Sequence, residues 1–199
     1  VPDPDLILFP DAVSLGAASL AEVQQQALAH CAEFKNRFCI LDVPAADTLK
    51  DVSDFRAKIG TNHLKYGAVY GPWLKLEQVP GSSAPLVVPA SGAVAGVYAQ
   101  VDEMKGVWVA PANVSVAGAA GLTEDITDQQ QASLNVDAAT GKSINVIRNF
   151  PGRPQVIWGA RTLDGNSNDW RYVSQRRLVG LVEAGIDAYG WSLVFDAND

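Results

Sequence analysis

The run "ATGKSINVIRNFPGRPQVIWGARTL" contains Gly141, Lys142 and Ser143 in series, the three residues that close a nucleotide-binding loop. Such a loop needs another glycine ahead of them, so that backbone amides can curl around a phosphate, and a helix that starts at the lysine. Val136 stands where that glycine would be, and "INVIRNF" after Ser143 is β-branched and strand-like. The run therefore reads as a turn between a helix and a strand.

Other candidate chemistry is sparse. Asp11, Asp42 and Asp47 fall near the ends of predicted parallel strands, where α/β proteins place magnesium, but acidic loop residues are most simply solvated. His30 and His63 share no metal-ligand spacing, and no serine sits in a Gly-x-Ser-x-Gly elbow. "LILFPDAVSLGA" lacks the glycine-rich turn of a dinucleotide site. Cys31 and Cys39 have no second pair with which to complete a metal site and read as buried free thiols. These observations predict neither cofactor nor catalytic constellation.

Charge is the more informative pattern. Residues 1–141 carry a net charge of −8 and residues 142–177 a net charge of +5, within a total of −7. The basic stripe holds Arg148, Arg153, Arg161, Arg171, Arg176 and Arg177 among Phe150, Trp158, Trp170 and Tyr172. Arginine among aromatics suits nucleic acid, but a sequence pI of about 4.7 argues against that. Arginine also grips carboxylates at protein interfaces, and a split of this kind suits a head-to-tail contact between copies of one chain. Pairing of the same arginines within the chain, fixing this half onto the long helix that follows, is an equally open reading.

The elements that must position these residues follow from periodicity. "LILF" and the continuous apolar "FCILDVP" read as strands, the second buried on both faces. Between them "SLAEVQQQALAHCAEF" places Leu20, Val23, Ala27, Cys31 and Phe34 on one helical face, with Ser19 and Glu22 as a capping box. "DVSDFRAKIG" is a short helix burying Val52, Phe55 and Ile59. "GAVYGPWLKL" is a strand that Pro72 interrupts. After "EQVPGSSAPLVVP", which reads as mobile, Ser91 caps a helix burying Val94, Val97, Val101 and Met104, and "GVWVAPA" returns to strand. The repeated strand–helix order predicts an α/β fold with a mostly parallel or mixed sheet flanked by helices.

The second half reads as an irregular β-rich segment. "NVSVAGAAGLTEDI" is a loop or short hairpin, and Thr127 with Gln130 opens the helix "DQQQASLN". Strands "INVIRNF" and "QVIWGARTL" flank the turn "PGRP". A long helix then buries Leu178, Leu181, Val182, Ile186 and Tyr189, and "WSLVFDAND" closes as a strand. At 199 residues the chain fits one domain, with a possible division into 1–110 and 111–199. No apolar run reaches the ~20 residues of a membrane span, and no secretory pattern precedes "LILF", so the chain reads as cytoplasmic.

The stretch "KSINVIRNFPGRPQVIWGARTLDGNSNDWRYVSQRRLVGLVEAGIDAYGWSLVFDAND" resembles the contractile tail sheath proteins of bacteriophages and phage-derived injection particles. "YGAVYGPWLKL", "VPASGAVAGVYAQVDEMKGVWVAPAN" and "GLTEDITDQQQASLN" extend the resemblance upstream in the same order, over roughly residues 65–199. Pro154 in place of a glycine and "FDAND" in place of the commoner "FEPND" are small departures. The resemblance implies a non-enzymatic subunit that polymerises with itself around an inner tube, meets baseplate and tail-end proteins, and contracts to drive the tube through a cell envelope. It implies residence in a virion tail or tail-like particle after assembly in the bacterial cytoplasm, with no nucleic acid bound and no stable membrane insertion. It also implies a fragment of a longer subunit. Two readings from other classes compete: a metal-dependent α/β enzyme built on Asp42 and its neighbours, and a nucleic-acid-binding module.

Overall fold

The computed structural model describes residues 5–45, 49–77 and 84–190. Its centre is a six-stranded mixed sheet in the order β1-β2-β3-β8-β9-β6. Strands β1 (Leu6–Leu8), β2 (Phe38–Asp42), β3 (Gly67–Gly71) and β8 (Ile144–Phe150) run parallel, while β9 (Arg153–Ile157) and the edge strand β6 (Val114–Ser115) are antiparallel to their neighbours. A second, antiparallel sheet joins β5 (Val87–Val88), β4 (Leu74–Leu76) and β7 (Ala119–Leu122). The fold is α/β, and β8 from the second half of the chain lies directly beside β3 from the first.

Alternation along β2 explains its continuous apolar sequence. Cys39 and Leu41 enter one core with helices α1 (Ala17–Phe34), α2 (Leu49–Lys58) and α4 (Asp128–Asn135). Phe38 and Ile40 enter a second core with Val94, Val97, Tyr98 and Val101 of α3 (Ser91–Lys105). Every residue of β2 and β3 is therefore buried, as period-two side chains on a sheet covered on both faces must be. Pro72 ends β3, and the chain leaves for the second sheet at Leu74. Cys31 and Cys39 are buried free thiols.

Of the three expected capping signals, the one at α4 is present. Thr127 Oγ1 accepts from the Gln130 amide and the Gln130 side chain accepts from the Thr127 amide, the full capping box of α4. At α1 the expected box is absent. Gly16, at φ 83°, lets the helix begin at Ala17, so Ser19 lies inside the first turn. Ser91 is likewise the first residue of α3 and not its cap.

Several packing expectations are corrected. Phe34 and Met104, each in the last turn of its helix, are exposed. "GVWVAPA" forms turns, with Trp108 folded against Gly106, and "NVSVAGAAGL" is no hairpin: β6 pairs with β9 and β7 with β4. Beyond Ile157, "WGARTL" makes only an isolated bridge between Arg161 and Tyr172. The largest correction concerns α5 (Val173–Tyr189), whose buried residues are Val173, Arg176, Arg177 and Gly180. Leu178, Leu181, Val182, Ile186 and Tyr189 all face solvent. Of the stretch expected to be mobile, residues 78–83 lie outside the described residues and Val87–Val88 form β5, while the closing strand "WSLVFDAND" lies outside them entirely.

Candidate functional site

The Gly141-Lys142-Ser143 turn points its chemistry into the fold. Asp137 receives the Thr140 amide at 2.8 Å and the Thr140 hydroxyl at 2.6 Å, bonds that hold its carboxyl below the usual range and shape the turn. Gly141 takes φ 70°, and β8 starts at Ile144 where a phosphate site would need a helix. Lys142 is only 3% exposed. Its ammonium donates to the carbonyls of Ile59 and, at 3.2 Å, Arg56, satisfying acceptors left open at the C-terminal end of α2. Burial pushes its pKa down, with the Arg56 charge acting in the same direction.

Asp42 also serves a helix end. Its carboxylate, at the end of β2, accepts from the Ser91 amide at 2.7 Å, and its carbonyl accepts from Gln24 Nε2 at 2.7 Å. The negative charge thus faces the positive end of α3. Burial raises the carboxyl to about 6, against opposing hydrogen bonds from Ser91 and Ala90. Asp11 is exposed in a 3-10 turn, and Asp47 lies outside the described residues. Among the described residues no group of three or more His, Cys, Asp or Glu could hold a metal ion. His30 accepts from Arg37 at 2.6 Å, and His63 sits in a left-handed turn at φ 61°.

The six arginines divide by location. Arg148 is buried, donating to the Ile126 carbonyl at 2.9 Å and to Gln131 at 2.6 Å, with Asp128 at 2.7 Å. Arg176 bonds Glu183 at 2.7 Å and the Lys35 carbonyl at 3.1 Å beneath the Tyr66 and Trp170 rings. Arg177 grips Asp102 through both nitrogens and meets Asp5 at 3.2 Å. Arg153 is exposed and donates to the Asn113 carbonyl. Arg161 and Arg171 are half-buried beside Tyr172. The structure thus brings Arg176 and Arg177 together under α5 but sends Arg148 and Arg153 to the hairpin of β8 and β9.

Sequence reasoning missed Asn145. Its amide donates to the carbonyls of Val69 at 3.2 Å and Arg161 at 2.8 Å, and its oxygen accepts the Arg161 amide at 2.8 Å. One buried side chain therefore ties β3, β8 and the segment after β9, with Thr162 adding a bond to the Trp170 carbonyl at 2.7 Å. The available signal was a single amide inside the apolar run "INVI", which a strand tolerates when every polar atom finds a partner.

These polar residues hold the fold together, and among the described residues the apolar side of α5 is exposed. A family model of the phage tail sheath protein central domain matches residues 3–163, and the chain belongs to that family. Over 112 residues it is 27% identical to the tail sheath protein of Vibrio phage KVP40, a match covering 56% of this chain and 16% of that protein. It is similar to a chain of the six-fold symmetrised anti-feeding prophage baseplate, with a TM-score of 0.76 and 31% identity, covering 100% of this chain and 49% of that one. It is also similar to the contracted sheath complex of the PVC extracellular contractile injection system, with a TM-score of 0.74 and 35% identity, covering 88% of this chain and 47% of that one. The chain spans about half the length of these solved relatives. Among the described residues no helix is long and apolar enough to cross a membrane.

Proposed function

We propose that this chain is part of a contractile tail sheath subunit, without enzymatic activity, that polymerises around an inner tube and shortens to drive the tube through a cell envelope. The family match over residues 3–163 carries the reading, and the similarity to a contracted sheath complex and to a baseplate chain supports it. On this reading the chain belongs to a longer subunit, assembles in the bacterial cytoplasm and ends in a tail or tail-like particle, where it meets its own copies, the tube and the baseplate. The stroke draws its work from contacts that are more favourable in the contracted lattice than in the extended one, since only such a difference can shift a two-state assembly.

Contact with an acidic neighbour falls to Arg153, Arg161 and Arg171, which keep access to solvent, while Arg148, Arg176 and Arg177 hold the subunit together. Electron microscopy of the full-length subunit expressed alone tests the main reading: tubular polymers are expected, and a protein that stays monomeric under all conditions defeats it. Reversing Arg153, Arg161 and Arg171 to Glu is expected to abolish tubes while the subunit still folds, as read by circular dichroism; normal tubes would remove these arginines from the interface.

A further inference from the structure

Helix α5 is seated with its apolar side turned outward. An amphipathic helix normally turns its apolar stripe to the core. Here the side facing the fold carries the ion-paired Arg176 and Arg177 with Gly180, and the apolar side, Leu178, Leu181, Val182 and Ile186, looks outward. Leu181 is 52% exposed and Ile186 63%. Beside the helix lies a cavity of about 240 Å³ whose lining is charged on one side, with Asp5, Lys35, Arg37, Arg176 and Arg177, and apolar only where Phe38, Val107, Leu181 and Ala184 meet it. Leu181 belongs to both stripe and cavity, so the exposed apolar stripe adjoins the cavity there.

Resting on the sheath reading above, we propose that this face is covered within the same subunit, by the part of the full-length polypeptide that lies outside residues 1–199. The solved relatives supply the argument for that occupant: the matched portion is about half of each, so a comparable length of chain is present in every copy. A segment tethered to the same molecule binds at high effective concentration and closes the face before any second copy arrives. That order matters for a subunit that must reach its particle without clumping, because an open apolar stripe invites uncontrolled association.

The test is thiol accessibility. Leu181→Cys and Ile186→Cys are introduced separately into the 199-residue chain and into the full-length subunit, the latter kept below the concentration at which it polymerises. Labelling with a soluble maleimide is then timed. Cys31 and Cys39 are fully buried and give a silent background. In the 199-residue chain both new thiols are expected to react as free ones. In the unpolymerised full-length subunit they should react roughly tenfold more slowly or less, because reaction then waits on local opening. Equal rates in the two proteins would overturn the proposal. Protection that arrives only on polymerisation would also overturn it and assign the face to a second copy. Protection in a full-length subunit that never forms tubes would support the internal cover while defeating the sheath reading.

Discussion

Arg177 and Asp102 form a two-pronged ion pair, Nη1 to Oδ1 at 2.8 Å and Nη2 to Oδ2 at 2.6 Å, that fastens α5 to the far end of α3. The guanidinium is nearly buried and lies 5.2 Å from the centre of the Tyr98 ring. Arg177→Ala strands Asp102 beside the core and is expected to cost about 3–5 kcal/mol. Replacing both residues, Arg177→Met with Asp102→Leu, should restore much of that loss, since neither charge is then left alone. Urea denaturation of the single and double variants measures both. A double variant as unstable as Arg177→Ala would show that the pair is not what fastens the helix.

Asp42 makes stability depend on pH in an unusual direction. Its carboxyl is raised from 3.8 to about 6 in the folded chain, so the folded state holds the proton more tightly than the unfolded one. The stabilisation from this group is complete below about pH 4 and is lost as pH rises through 6, by at most about 3 kcal/mol. Asp42→Asn keeps an acceptor for the Ser91 amide and removes the charge. Its stability relative to the parent chain should therefore improve between pH 4.5 and pH 7.5. The same difference at both pH values would mean that Asp42 does not titrate there.

Lys142→Met retains the buried stem and deletes the ammonium, leaving the Arg56 and Ile59 carbonyls short of a donor. A loss of about 1–3 kcal/mol is expected. Thermal unfolding with and without magnesium ATP supplies the complementary measurement, and a nucleotide-dependent rise in Tm would contradict the inward placement of the lysine.

Ser143 and Gly165 test close packing in the same corner. The Ser143 hydroxyl is buried without a hydrogen-bond partner, and a Cβ on Gly165 would strike it and approach the Gly141 carbonyl to 2.9 Å. Gly165→Ala should cost about 1–3 kcal/mol. Ser143→Ala alone should be neutral or stabilising by about 1 kcal/mol, since no bond is lost. Combining the two should cost less than the sum of the separate effects, because they share one contact. Strict additivity would place the strain elsewhere.

What the sequence made legible depended on how far apart the partners lie. The α4 capping box spans three residues, and the buried strand β2 declares itself in five consecutive apolar or terminal positions, so both could be read directly. The reach from Arg177 to Asp102 crosses 75 residues and that from Lys142 to Arg56 crosses 86, and no periodicity encodes either. Periodicity gave the axis and the stripe of α5 correctly but not its orientation. The inward side is the one that carries the Arg177 ion pairs to Asp102 of α3 and to Asp5 beside β1, and the Arg176 hydrogen bond to the Lys35 carbonyl after α1. For the six arginines the residue types and spacing were legible, and the depth of Arg148, Arg176 and Arg177 was not.

Helices α2 and α4 lock each other. Arg56 from α2 donates to the Ser133 and Leu134 carbonyls at the end of α4, at 3.2 and 3.1 Å, and Lys142 from the turn after α4 returns the favour to α2. Neither helix can lift away without baring the terminus of the other. This corner is thus a clasp with no half-open setting, so a pull on one helix is met by both, and amide exchange along the two should fade at a common rate.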